Sequence, residues 1–243
     1  MTVSEDFSLT AGFGLLEQAI RYALAHPGLT HRGLAHSEQA HSEQAESELT
    51  DSQPTELGEA TTELLSRPTP CADWDLRTLL LHVSDSLGVI HEAISTGFVD
   101  SAPVPCECAQ LEPDPVSDLR RGAANMLAIC ATCATAEPSD HAVAIADRDL
   151  TASIVAMTGA LEIAVHGWDI REACGNSKPI PFGLATALLP IVPLLVAPGS
   201  RAGLFADPVP VPPLSSPGDR LVAFLGRQPR PLSSRPDSPR RPL

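Results

Sequence analysis

Residues Ala160–Arg171 read ALEIAVHGWDIR, and the interpretation of the whole chain turns on them. Alanine, leucine, isoleucine and valine dominate the stretch, a composition that favours helix and burial. Glu162 and His166 stand four apart, so a helix places them on one face about one turn from each other. Trp168, Asp169 and Arg171 follow within the next two turns. A surface helix would spread its charges over the face turned to water, whereas these are bordered by residues that belong in a core. An ionisable group buried without a partner is costly. The stretch therefore predicts partnered polar groups: either a hydrogen-bonded Glu–His pair or two ligands of a metal ion.

Around it the apolar spacing predicts four principal helices. Leu15, Leu16, Ile20, Ala23 and Leu24 set the first, over residues 9–26. The second is announced by Pro68-Thr-Pro-Cys-Ala-Asp-Trp-Asp75, where prolines stop the preceding chain and Asp73 or Asp75 can cap a helix running to about Thr96. The third covers about 115–136 and the fourth about 151–174, ending at Cys174-Gly175-Asn176. Residues 141–148 read as a hairpin-like excursion, and 182–196 as a fifth helical segment broken at Pro190 and Pro193. Residues 204–224 read as mostly extended, closing in a short helix from Asp219. The expected fold is mainly α, a four-helix bundle with a small α/β-like C-terminal extension. The bundle would occupy residues 9–200, with a polar insertion at 27–60, the extension at 201–228 and a disordered tail at 229–243.

The insertion contains an imperfect five-residue repeat over residues 35–49, beginning AHSEQAHSEQ. It lacks a large apolar side chain from Ala35 to Glu48 and reads as solvated. His31, His36 and His41 are five apart, which leaves them unaligned on a helix and reads as surface placement. A net charge of −14 argues against nucleic acid or an anionic membrane surface as partner. No secretory signal or membrane span is apparent, so the expectation is a cytoplasmic protein, a monomer or homodimer, acting on a small molecule. In that compartment the six cysteines would be thiols or ligands. Cys106-x-Cys108 and Cys130-x2-Cys133 have the composition of a second zinc site or a redox pair. The helical setting of Cys130 and Cys133 favours small core residues instead, and Cys71 and Cys174 read as packing residues too.

Two ligands hold a metal poorly, and His82 is the candidate for a third, because it interrupts the leucine run Leu79-Leu80-Leu81 on the second helix. Three protein ligands would leave a position open for water or substrate. Three stretches resemble the DinB-like helical metalloproteins, in the branch of mycothiol-dependent maleylpyruvate isomerase-like proteins. They are Pro68–Val83, Glu162–Arg171, and Phe205-Ala-Asp-Pro-Val-Pro-Val-Pro with Asp219-Arg-Leu-Val-Ala-Phe-Leu-Gly-Arg227. The resemblance implies a divalent ion, zinc with nickel as the alternative, held by His82, Glu162 and His166, and mycothiol as co-substrate.

Asp169 and Asp85 each follow a candidate ligand by three residues, so each is placed to orient an imidazole or a metal-bound water. Trp74 and Trp168 are candidates to wall the site, and Arg77 and Arg171 to meet a carboxylated substrate or cofactor. The function expected from these residues and the resemblance is a metal-dependent isomerase or thiol transferase acting on a small organic electrophile. The scarcity of aromatics among long Ala/Leu/Val helices suggests an apolar pocket and a hydrophobic substrate of secondary metabolism. A thiol-independent lyase, cyclase or hydrolase and a non-catalytic metal-binding protein are the alternatives. A cleft reaching the metal would favour catalysis; a closed site of four protein ligands would oppose it.

Overall fold

The fourth helix predicted above is the spine of the molecule. In the computed structural model, which describes residues 8–25, 62–71, 73–99, 114–135, 140–146, 148–196, 201 and 205–229, the long helices are α1 (Leu9–Leu24), α2 (Leu76–Thr96), α3 (Pro115–Thr135) and α4 (Ala152–Ala173). Every residue of α4 from Ala160 to Arg171 except Glu162 is buried. A helix apolar on all sides has neighbours on all sides: α1 and α2 both pack on it, and α3 closes the group by packing on α1 and α2. The molecule is mainly helical, as its composition predicts.

The helix ends follow from local chemistry. The Asp75 carboxylate accepts the Thr78 N–H at 2.8 Å to start α2, and left-handed Gly97 stops it. Thr151 caps α4, and Gly175 at φ 71° follows its end. Between α2 and α4 lies a three-stranded sheet in the order β1 (Phe98–Val99), β2 (Ala142–Ile145), β3 (Arg148–Thr151). β2 and β3 form the expected hairpin, turning at Ala146 with φ 53°, and β1 adds in parallel through Phe98 opposite Ala144.

After α4 come α5 (Phe182–Leu188) and α6 (Val192–Leu195), the segment expected to break at its prolines, and then α7 (Pro217–Phe224). α7 packs on α5. The α/β-like character expected of the C-terminal segment is corrected: its described residues contribute a helix and no strand, and the sheet belongs to the α2–α4 connections. The prolines at 208, 210, 212 and 213 explain the difference, since each removes a donor that a strand ladder needs. The insertion at 27–60 with its repeat at 35–49 and His31, His36 and His41, the pair Cys106 and Cys108, and the tail beyond residue 229 lie outside the described residues. No helix among the described residues is long and apolar enough to cross a membrane.

Close approach of α1 to α4 depends on Gly167, where an added Cβ would lie 3.0 Å from Ala23 Cβ and 3.1 Å from its Cα. Gly14, on α1, faces open space. The two glycines predict opposite outcomes. Gly167→Val should destabilise by about 1–3 kcal/mol or more through overpacking against backbone. Gly14→Ala should stabilise by up to about 1 kcal/mol through helix propensity. Denaturant unfolding of both variants checks the pair.

Candidate metal centre

Three parts of the chain meet at the sequence's polar cluster. The first is the loop before α2, closed by an antiparallel bridge between Pro68 and Asp75. Its backbone is tied by the Leu76 N–H to the Arg67 carbonyl at 2.9 Å and the Thr69 N–H to the Trp74 carbonyl at 3.1 Å. The Thr69 hydroxyl also donates to the Trp74 carbonyl at 2.9 Å, so Cys71 and Trp74 are held in one place. The second part is the facing pair of helices: His82 on α2 opposite Glu162, His166 and Asp169 on α4. The third is the turn after α7, where Gly226 adopts φ 82° and delivers Arg227. Any other residue at 226 would also drive its Cβ to within 2.8 Å of the Ala206 carbonyl oxygen.

The side chains form a chain of alternating partners. His82 Nε2 donates to Glu162 Oε1 at 2.7 Å, and His166 Nε2 lies 3.2 Å from the same oxygen. On its other side His166 Nδ1 lies 3.0 Å from Asp169 Oδ2. Arg227 grips Asp169 with two nitrogens, Nη2 at 3.0 Å from Oδ2 and Nε at 3.4 Å from Oδ1. Cys71 Sγ lies 3.2 Å from Asp169 Oδ2, 3.3 Å from Arg227 Nη2 and 3.7 Å from His166 Nδ1. The Trp74 ring covers both imidazoles, with centroids 4.7 Å from His82 and 6.3 Å from His166.

Burial grades along this chain. The Asp169 side chain is 0% exposed and that of His166 9%, whereas Glu162 and His82 keep 31% and 36%. Burial pushes the Asp169 carboxyl up, but hydrogen bonding from His166 and the charge of Arg227 reverse this and hold it below the usual range. Burial likewise raises Glu162, and hydrogen bonds from His166 and His82 take it far below the usual range. Desolvation opposes charge on His166, yet Asp169, Cys71 and Glu162 together lift it well above the ordinary imidazole value.

Two sets of donor atoms lie within 4.8 Å of one another: those of His82, Glu162 and His166, and those of Cys71, His166 and Asp169. The first set opens on a cavity of about 670 Å³ walled by Cys71, Trp74, Phe205, Leu225 and Arg227. Its donors fit a divalent ion of the zinc type, because two borderline imidazole nitrogens with one harder carboxylate oxygen make a ligand set that zinc accepts. Asp169 holds a proton on Nδ1 of His166, which leaves Nε2 to face the other two donors.

The structure places the other predicted residues as follows. Asp169 contacts His166 as its spacing suggested. Asp85 is exposed one turn beyond His82, and among the described residues it makes no hydrogen bond to an imidazole; His82 Nε2 meets Glu162. Trp168 is buried in the core and does not line the cavity; it is Trp74 that does. Arg171, expected to face a ligand, is buried against α1: Nη2 donates to the Tyr22 carbonyl at 2.6 Å and the guanidinium stacks 4.6 Å from the Tyr22 ring. Arg77 sits beside the capping Asp75 rather than the cavity, and lowers that carboxyl less than the Thr78 hydrogen bonds do.

Cys71, read as a packing residue, instead faces the cavity, and Arg227 is the cation there. Cys130 is buried in the core, where desolvation pushes its thiol up to about 12, and Cys133 is half-buried one turn away on α3. Cys174 is a half-buried thiol packed against the core.

The family described as "Mycothiol maleylpyruvate isomerase N-terminal domain" matches residues 47–171, just over half of the chain. The matched span contains Cys71, His82, Glu162, His166 and Asp169 and stops short of Arg227. Two proteins of Mycobacterium tuberculosis are similar: "Uncharacterized protein MT0763" from strain CDC 1551 / Oshkosh and "Uncharacterized protein Rv0738" from strain ATCC 25618 / H37Rv. Each is 26% identical over 184 residues, covering 70% of this chain and 89% of the relative. No solved structure matches. With the ligand-type residues in the matched span and the fold around them mainly helical, the chain belongs to the mycothiol maleylpyruvate isomerase N-terminal domain family, a DinB-like family.

Proposed function

We propose that the protein is a metal-dependent enzyme of the thiol-using type, an isomerase or thiol transferase acting on a small organic electrophile. The observation that carries this reading is the convergence of His82 Nε2, Glu162 Oε1 and His166 Nε2 at the edge of an open cavity, with three protein donors among the described residues. In this reading α1 to α4 form a DinB-like four-helix bundle within residues 9–200, and the segment from 201 to 228 closes one side of its site. The family's description favours mycothiol as the thiol.

A divalent ion bound there, zinc in the first instance and nickel as the alternative, supplies Lewis acidity and lowers the pKa of a coordinated thiol. The chain's own residues prepare the place for it. Asp169 fixes the tautomer and ring plane of His166, and Arg227 in turn fixes Asp169. Trp74 lies over both imidazoles and limits water on that face. The exposure left to His82 and Glu162 is where an incoming ligand reaches the centre.

Elemental analysis of the purified chain should find close to stoichiometric zinc or nickel, and His82→Ala should lose it. Metal-free wild type of normal stability removes the proposal. Asp169→Asn, which keeps the shape and loses the charge, should weaken metal affinity by about 10–100-fold, read by competition with a chromogenic chelator.

The Asp169–Arg227 pair should also be visible in stability. Asp169→Ala or Arg227→Ala strands a buried charge and should cost about 3–5 kcal/mol in denaturant unfolding. The double variant should cost clearly less than the two added together. The carboxylate's contribution is complete above the unfolded aspartate pKa of about 4. Because its folded value is lowered, that contribution falls away as the pH drops through the folded value.

A further inference from the structure

His82 and Glu162 border two cavities. The one described above extends from them towards the start of α2 and the end of α4, through Cys71, Trp74 and His166. A second, of about 370 Å³, extends the other way along the same two helices. Its residues recur at helix spacing, Asp85, Ser86, Val89 and Ile90 beyond His82 on α2, and Val155, Thr158 and Gly159 ahead of Glu162 on α4. Ile145 and Leu150 of the β2–β3 hairpin form the remaining wall.

The chemistry of the two chambers differs. Val89, Ile90, Ile145, Leu150 and Val155 make the second one apolar, and Val89 is 43% exposed beside it. Its polar groups are few and already engaged or acidic. The Thr158 hydroxyl donates to the Ile154 carbonyl at 2.8 Å, and the Ser86 hydroxyl lies 3.5 Å from Glu162 Oε1. Asp85 and Glu162 bring two carboxylates, and no lysine or arginine lines the chamber among the described residues. Glu162 is already engaged by His82 and His166, so an anion entering the chamber would be desolvated against apolar walls with Asp85 at their edge. Arg227, the guanidinium at the cluster, belongs to the other chamber and is held by Asp169.

We infer that this second chamber is a binding site for a small, uncharged, apolar organic molecule, whose one end comes to rest at His82 and Glu162. An apolar cavity of about 150 Å³ takes benzene, so this volume suits a fused bicyclic ring or a branched chain of similar bulk. That the molecule is a substrate rests on the function proposed above; that the chamber binds it does not. The two chambers then bring two ligands of different character to the same pair of side chains from opposite directions. One arrives past Cys71 and Trp74, the other between Val89 and the hairpin.

The test is calorimetric titration of the full-length chain with 2-naphthol and with 2-naphthoate, which share a ring system and differ in charge at about pH 7. 2-Naphthol should bind with one-to-one stoichiometry, and 2-naphthoate at least about tenfold more weakly. Val89→Trp, a substitution at an exposed position that fills the mouth, should weaken 2-naphthol by about tenfold or more. Ala206→Trp, which narrows the other chamber, should leave it within about twofold. Absence of 2-naphthol binding, equal affinity for the anion, or indifference to Val89→Trp overturns the assignment.

Repeating the titration after chelator treatment separates the two readings. Binding of 2-naphthol that survives in a chain unable to hold metal keeps this site while the metal-dependent function falls. Stoichiometric metal without 2-naphthol binding does the reverse.

Discussion

A single imidazole set between two carboxylates organises this protein. His166 meets Glu162 through Nε2 and Asp169 through Nδ1, at 3.2 and 3.0 Å. Its almost complete burial means that neither contact can be replaced by water. Each carboxylate has a further partner on its far side: His82 beyond Glu162, Arg227 beyond Asp169. The result is a line of alternating donors and acceptors that draws together α2, α4 and the turn after α7. A buried line of this kind adds little net stability when complete and is costly when interrupted. It specifies how the helices register against one another more than it holds them together.

The apolar packing does the holding. Because α4 is enclosed on nearly every side, its polar groups have only the positions that neighbouring helices leave them. Gly167, directly after His166, lets α1 approach closely enough to seal one side. Arg171 serves the same end. Its guanidinium lies on the Tyr22 ring and donates to the Tyr22 carbonyl, so this arginine belongs to the α1–α4 seam rather than to the cavity.

Much of this was legible in the chain before any coordinates. Helix ends followed caps and glycines, and the partnership of Glu162 with His166 followed from a four-residue spacing in an apolar helix. His82 stood out because an imidazole inside a leucine run needs a partner. The same angular reasoning also shows why two readings went astray. At about 100° per residue, Trp168 lies about 200° and Arg171 about 140° around the helix from His166, away from the Glu162 face, whereas Asp169 returns to within about 60°. Spacing alone thus places Asp169 beside His166, and neither Trp168 nor Arg171.

Arg227 carried no such signal. It sits 58 residues from Asp169, past the end of the last short helix, and no spacing rule joins the two. Cys71 had no spacing rule to give it away, since what makes it face the cavity is the hydrogen-bonded loop around Thr69. β1 is two residues long and exists only because β2 offers it an edge.

The contribution of Arg227 bears on how the chain is divided. The family match ends at residue 171, and the expected bundle ended near 200, which leaves the last described segment looking like an appendage. The Arg227–Asp169 pair ties that segment to the cluster. An Asp169 carboxylate with no exposed surface is tolerable only if its charge is compensated, and one imidazole shared with Glu162 does not compensate two carboxylates. The second cation arrives through Gly226, whose backbone turn is fixed by α7 packing on α5 and by the Val209 N–H donating to the Ala223 carbonyl at 2.8 Å. A fragment stopping at the end of α4 would keep its helices' apolar surfaces but hold an undercompensated acid at their centre, beside the very imidazole whose orientation the site requires. The C-terminal segment is thus part of the site's electrostatics through the Arg227–Asp169 pair.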